Sequence, residues 1–99
     1  MLKNFKFKNF EPNSTAEKFC GSLMNIIFWK APADSWIEAE VIRKNAREYL
    51  TKIEIHSLNS HFLSQQTGLS IFQSVQKAAN QIFTELFRWK KQRNLGGED

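Results

Sequence analysis

Ninety-nine residues, 41% of them hydrophobic and 24% charged, suffice for one domain with one modest core and exclude a disordered chain. The net charge of +4 permits an anionic partner without requiring one, and Arg88, Lys90, Lys91 and Arg93 carry the whole excess, since the remaining residues balance to zero. A single cysteine, Cys20, excludes an intramolecular disulfide, and the longest apolar patch, LMNIIFW at 23–29, is too short for a bilayer span and is broken by Asn25.

The opening MLKNFKFKNF alternates lysine with phenylalanine instead of forming an apolar run, so no secretion signal is expected and the protein is read as cytoplasmic. The same alternation over 2–10, with Phe5 and Phe7 on one side and Lys6 and Lys8 on the other, predicts a half-buried strand ended by Glu11, Pro12 and Asn13. Ser14 and Glu17 then make a capping box. Behind it, Ala16, Phe19, Cys20, Leu23 and Ile27 recur at helical spacing, predicting a helix over about 15–29 that ends in the KAPADS segment.

From Trp36 the period returns to two, with Ile37, Ala39 and Val41 on one face and Glu38 and Glu40 on the other. Lys44, Asn45 and Ala46 read as a hairpin turn. Tyr49, Thr51, Ile53 and Ile55 then alternate with Lys52, Glu54 and His56, a second turn falls at 57–60, and a short fourth strand is expected over about 61–66. Ser70 with Gln73 opens the longest helix, which runs to roughly Arg93. Residues 1–94 are thus one domain, and LGGED at 95–99 is a flexible tail.

The order β-α-β-β-β-α predicts a two-layer α+β domain, a four-stranded sheet with two helices packed on one face. A strand-helix-strand start implies a right-handed crossover, with the first two strands parallel and the hairpins antiparallel.

On the last helix Val75, Ala79, Ile82 and Leu86 form the core stripe, flanked by Phe72 and Trp89. A polar stripe opposite them holds Lys77, Gln81, Thr84, Arg88 and Lys91, while Lys90 and Arg93 lie elsewhere around the circumference. Cations in a last turn also complement the helix dipole and by themselves prove no ligand. Here, however, they are interleaved with Phe87 and Trp89, and arginine is as frequent as lysine, a mixture suited to phosphate forks and base stacking. Lys3, Lys6 and Lys8 add a second basic row on the first strand.

The run SIFQSVQKAANQIFTELFRWKKQ, the size and the element order resemble the ribosome hibernation promoting factor family, also called ribosome-associated inhibitor or sigma-54 modulation protein. That family's last helix follows roughly D-x-Y-x-A-I-D and, after a gap, K-L-x-x-Q-L-x-K. Ser70, Phe72, Ser74, Val75 and Gln76 stand at the positions of the first motif, and Gln81, Ile82, Glu85, Leu86 and Arg88 at those of the second. The register holds from Phe62 to about Gln92.

The resemblance implies a short-form member, divergent in sequence. Such a protein occupies the decoding channel of the small ribosomal subunit and holds ribosomes inactive through basic contacts to 16S rRNA, a translation regulator of the stress response. Lys3, Lys6, Lys8, Lys77, Arg88, Lys90, Lys91 and Arg93 are the candidate RNA-binding residues. Two departures stand out: Gln81 and Thr84 occupy positions often basic in the family, and Lys18 and Lys30 alone carry the positive charge of the first helix.

Nothing in the chain announces catalysis. It has no glycine-rich phosphate loop, no nucleophile elbow and no Ser/His/Asp arrangement. His56 and His61 are five apart across a turn with no third ligand evident, so no metal, cofactor or small-molecule substrate is expected. Glu38 and Glu40 read as salt-bridge partners of lysines such as Lys52. Two alternatives remain beside the ribosomal reading. One is a double-stranded-RNA-binding module, whose α-β-β-β-α order is embedded here. The other is a protein-interaction or weakly self-associating domain, suggested by the aromatic surplus Phe28, Trp29, Phe83 and Phe87.

Overall fold

The computed structural model of the protein describes residues 5–96, with side chains as far as 92. Six elements follow in order: β1 (Lys6–Lys8), α1 (Ser14–Lys30), β2 (Trp36–Asn45), β3 (Glu48–His56), β4 (His61–Gly68) and α2 (Ile71–Gly96). The strands form one sheet in the order β1-β2-β3-β4, with β1 parallel to β2 and the two hairpins antiparallel. This is the expected α+β order, and β1 makes a fourth strand beyond the embedded α-β-β-β-α set.

The period-two pattern explains the layering. Ile37, Ala39 and Val41 of β2, Thr51, Ile53 and Ile55 of β3, and Phe62 and Ser64 of β4 are all buried on one face. Against that face α1 sets Ala16, Cys20, Leu23, Met24 and Ile27, and α2 sets Val75, Ala78, Ala79, Ile82 and Leu86. Met24, Ile27 and Ile82 are wholly buried, each burial stabilising the fold by roughly 1.5–3 kcal/mol. The seam between the helices is closed by Phe19 and Phe72, edge to face at 5.2 Å, and Trp89 meets Phe62 edge-on at 6.1 Å.

Several local expectations change. Among the described residues the first strand spans Lys6–Lys8, and it ends two residues earlier than expected because Asn9 adopts φ 71°, a left-handed conformation that breaks the extended run. The Asn9 amide donates to the Arg43 carbonyl at 3.4 Å. The N-cap of α1 is Asn13 instead of Ser14: the Asn13 side-chain oxygen accepts from the Ala16 backbone N–H at 2.8 Å, and Ser14 is the first helical residue. Asparagine and serine cap about equally well, so residue type alone does not favour Ser14 over the residue before it.

At α2 the expected cap holds, with the Gln73 N–H donating to Ser70 Oγ at 3.1 Å. The glutamine side chain, however, accepts from Leu69 N–H at 2.6 Å, one residue before the cap. The β2–β3 turn falls at Ala46 and Arg47, one residue later than expected, with the pairing register shifting between Arg43 and Asn45. Strand β4 runs two residues further, to Gly68, and α2 continues through Gly96, past the expected start of the tail. Residues 97–99 of that tail, and Lys3, lie outside the described residues.

Gly68 is where β4 meets α2. A Cβ there would lie 2.6 Å from Ser74 N and 2.9 Å from Ser74 Cα, so only glycine lets the strand end approach the first turn of the helix.

Candidate nucleic-acid interface

The candidate cations do not form one surface. Lys6 and Lys8 lie on the open face of the sheet, opposite the helices, and Lys8 is engaged by Glu40 at 3.1 Å. Arg88, Lys90 and Lys91 lie on the helical layer, exposed, with no acidic partner among the described residues. Lys91 Nζ rests 5.8 Å from the centroid of the Phe87 ring, itself 66% exposed. That pair offers a cation beside an open aromatic face. Arg93 belongs to α2, but its side chain lies outside the described residues, as does all of Lys3.

The polar stripe of α2 is not uniformly solvent-facing. Gln81 Oε1 accepts from Ser64 Oγ at 2.9 Å and from Gln66 Nε2 at 2.7 Å, so this side chain leans onto β4. Ser64 is buried, and its hydroxyl is also 2.9 Å from the Ala78 carbonyl. Gln81 thus satisfies polar groups between helix and strand. Lys77 is likewise drawn to the strand, donating to the Thr67 carbonyl at 3.1 Å while remaining exposed. Thr84 is exposed, with its hydroxyl turned back to the Asn80 carbonyl at 3.0 Å. Lys77 and Arg88 are separated by about 16 Å along the helix at 1.5 Å per residue.

A second group of cations was not singled out from the sequence. Arg43, Lys44 and Arg47 are exposed around the β2–β3 turn, and Arg47 and Lys77 line one shallow groove between that turn and the start of α2. The signal was present as three cations in five positions, but it reads locally as a polar hairpin turn. Arg43 is partly held in place, its Nε donating to the Asn45 carbonyl at 3.3 Å and its guanidinium 5.9 Å from the Tyr49 ring.

The surplus aromatics divide as well. Phe28 and Phe83 pack against the core, whereas Trp29 is 81% exposed and Phe87 projects beside Lys91. Cys20 is buried, and burial pushes its thiol up to about 11. It is a core residue.

The open face of the sheet is of mixed charge. Register places Glu40 opposite both Lys6 and Lys52, and Trp36 and His61 on either side of His56. Glu38 pairs with His56 at 3.4 Å instead of with a lysine. Glu54 Oε2 accepts a 2.6 Å hydrogen bond from His61 Nε2. That bond is the largest effect and holds the Glu54 carboxyl below its ordinary range; desolvation, next in size, opposes it, and the charges of His56, His61 and Lys52 add smaller lowering effects.

No helix among the described residues is long and apolar enough to cross a membrane. No protein-family model matches the sequence, and no curated protein sequence does. Solved structures do match. The N-terminal domain of Protein Y from Thermus thermophilus superposes with a TM-score of 0.68 at 11% identity, covering 90% of this chain and 99% of that one. A ribosomal subunit interface protein from Coxiella burnetii gives 0.67 at 10% identity, covering 89% and 98%. At such identities the agreement is one of fold, and the fold is the one that the resemblance to the ribosome hibernation family implied.

Proposed function

We propose that this protein is a ribosome-associated translation regulator that binds the small subunit and occludes its decoding channel, residues 1–94 acting as the binding unit. The observation that carries the reading is the fold, shared over about nine-tenths of the chain with a ribosomal subunit interface protein. The exposed cations Arg88, Lys90 and Lys91, without acidic partners among the described residues, supply the chemistry. Arginine forks phosphate oxygens in two directions, lysine adds point charge, and Phe87 offers a stacking surface beside them. Lys77, with Arg47 across the groove, extends the contact toward the other end of α2. Phosphate contacts position such a protein, and the shape of folded RNA supplies the selectivity. Inhibition follows from occupancy, with no bond made or broken.

Co-sedimentation with purified 30S subunits across a salt series tests this. Binding should weaken steeply with salt, and Arg88→Ala with Lys91→Ala should flatten the log–log slope by about 1.5, close to 0.7–0.9 per lost phosphate contact. Absence of pelleting at low salt, or pelleting indifferent to salt, would refute the ribosomal reading.

The exposure of Phe87 and Trp29 favours a second reading, association through an apolar patch. Its sign would be a concentration-dependent dimer in analytical ultracentrifugation that Phe87→Ser abolishes.

A further inference from the structure

We propose that Glu54, His56 and His61 form a binding site for one divalent transition-metal ion, Zn²⁺ above all, on the open face of the sheet. Each of the three offers a ligating atom, and these atoms all lie within 4.8 Å of one another. Two imidazoles and a carboxylate are a ligand set that suits zinc and its neighbours and does not suit magnesium or calcium, which take oxygen ligands.

The fold brings the three together through two paired strands. Glu54 and His56 are two apart on β3 and therefore share a face, while His61, the first residue of β4, is the direct cross-strand partner of His56. The intervening turn is pinned: the Ser57 N–H donates to the Ser60 carbonyl at 2.9 Å, and the Ser60 N–H donates to Ser57 Oγ at 3.0 Å. Trp36 lies across the His56 ring, centroids 4.9 Å apart and planes tilted by 30°, which limits rotation of that imidazole. The ligands thus sit on rigid strands, as an accurate site requires.

The distances fit. With bonds of about 2.0–2.2 Å, two ligands of a tetrahedral zinc lie roughly 3.3–3.6 Å apart. His56 Nε2 is 3.6 Å from Glu54 Oε2 and 3.4 Å from Glu38 Oε1. The 2.6 Å His61–Glu54 contact has to open by about 1 Å, and the widest separation among the three ligand atoms, up to 4.8 Å, has to close by about as much, exchanging one hydrogen bond for metal bonds. Glu38 approaches His56 alone among the three, and water completes the coordination.

An independent observation points the same way. His56 Nε2 is shut off from solvent and faces the carboxylates of Glu38 and Glu54 at 3.4 and 3.6 Å, yet it makes no hydrogen bond among the described residues. A polar nitrogen in that condition calls for an explanation, and a metal bond provides one. Glu54 and Glu38 bring two negative charges to a divalent cation, and Lys52 on the same face opposes them only in part. The site lies on the layer opposite Arg88 and Lys91, so it does not rest on the ribosomal reading.

Calorimetric titration of the untagged full chain with Zn²⁺ at pH 7.5, paired with Co²⁺ absorption spectra, decides the matter. One Zn²⁺ per chain is expected, with Co²⁺ giving a visible tetrahedral-type band that Zn²⁺ bleaches and millimolar Mg²⁺ leaves unchanged. His61→Gln, an exposed position that should fold normally, should weaken Zn²⁺ binding at least about tenfold, and Glu54→Gln should act in the same direction. No heat and no cobalt band with the unaltered chain would overturn the proposal, as would binding that neither substitution changes.

Discussion

The hydroxyls of Thr51 on β3 and Ser74 on α2 stand 2.7 Å apart in the interior, both residues sealed from solvent. This bond ties the central hairpin to the first turns of α2, where Ser74 is also within 3.3 Å of the Ile71 carbonyl. Thr51→Val keeps the shape and removes the partner, so it should destabilise the fold by about 1–2 kcal/mol. Combining it with Ser74→Ala should destabilise less than the sum of the single changes, because no hydroxyl is then left unpaired. Urea unfolding of the three variants measures the coupling.

The two described glycines outside the last turn of α2 should respond in opposite senses. Gly68→Ala drives a methyl into the Ser74 backbone, which cannot yield as a flexible side chain would, and should cost about 1–3 kcal/mol. Gly21, in the interior of α1, has nothing within 4 Å of where a Cβ would stand, so Gly21→Ala should stabilise by roughly 0.5–1 kcal/mol. Thermal melting of both variants separates close approach from helix propensity.

The start of α1 distinguishes two neighbouring polar residues. Asn13→Ala removes the oxygen that accepts from Ala16 N–H and should cost about 1 kcal/mol. Ser14→Ala, at an exposed first helical position, should stay within about 0.5 kcal/mol of the unaltered protein. Equal losses in chemical denaturation would place the cap differently.

Cys20 gives a pH dependence with a definite sign. Its thiol is raised from the ordinary 9.0 to about 11 by burial, so the folded state holds its proton more tightly than the unfolded chain does. The stability this contributes is present in full below pH 9 and declines as pH rises from 9 toward 11. At pH 8 the thiolate fraction is on the order of one in a thousand, so alkylation by iodoacetamide should be at least about a hundredfold slower in the native protein than in urea.

The layering was legible because Ile37, Ala39 and Val41, then Thr51, Ile53 and Ile55, alternate with polar residues, and because Val75, Ala79, Ile82 and Leu86 repeat at helical spacing. The exposure of Arg88 and Lys91 follows from the same helical period. Gln81 was not legible. By angle it belongs with Arg88, but β4 comes close enough that its amide is used by Ser64 and Gln66. The early end of β1 was hidden too, since it depends on a left-handed Asn9 and not on any change in the alternation.

Periodicity records which face of its own element a residue occupies, so the amino-acid sequence by itself determined the order β-α-β-β-β-α, the core stripes and the basic end of α2. It carries little about which residues of different elements meet, because that depends on pairing register and on the distance between layers. The tertiary structure alone separated Lys6 and Lys8 from the cations of α2. It also set His61 beside His56 and above Glu54, where five residues of chain had looked like mere separation.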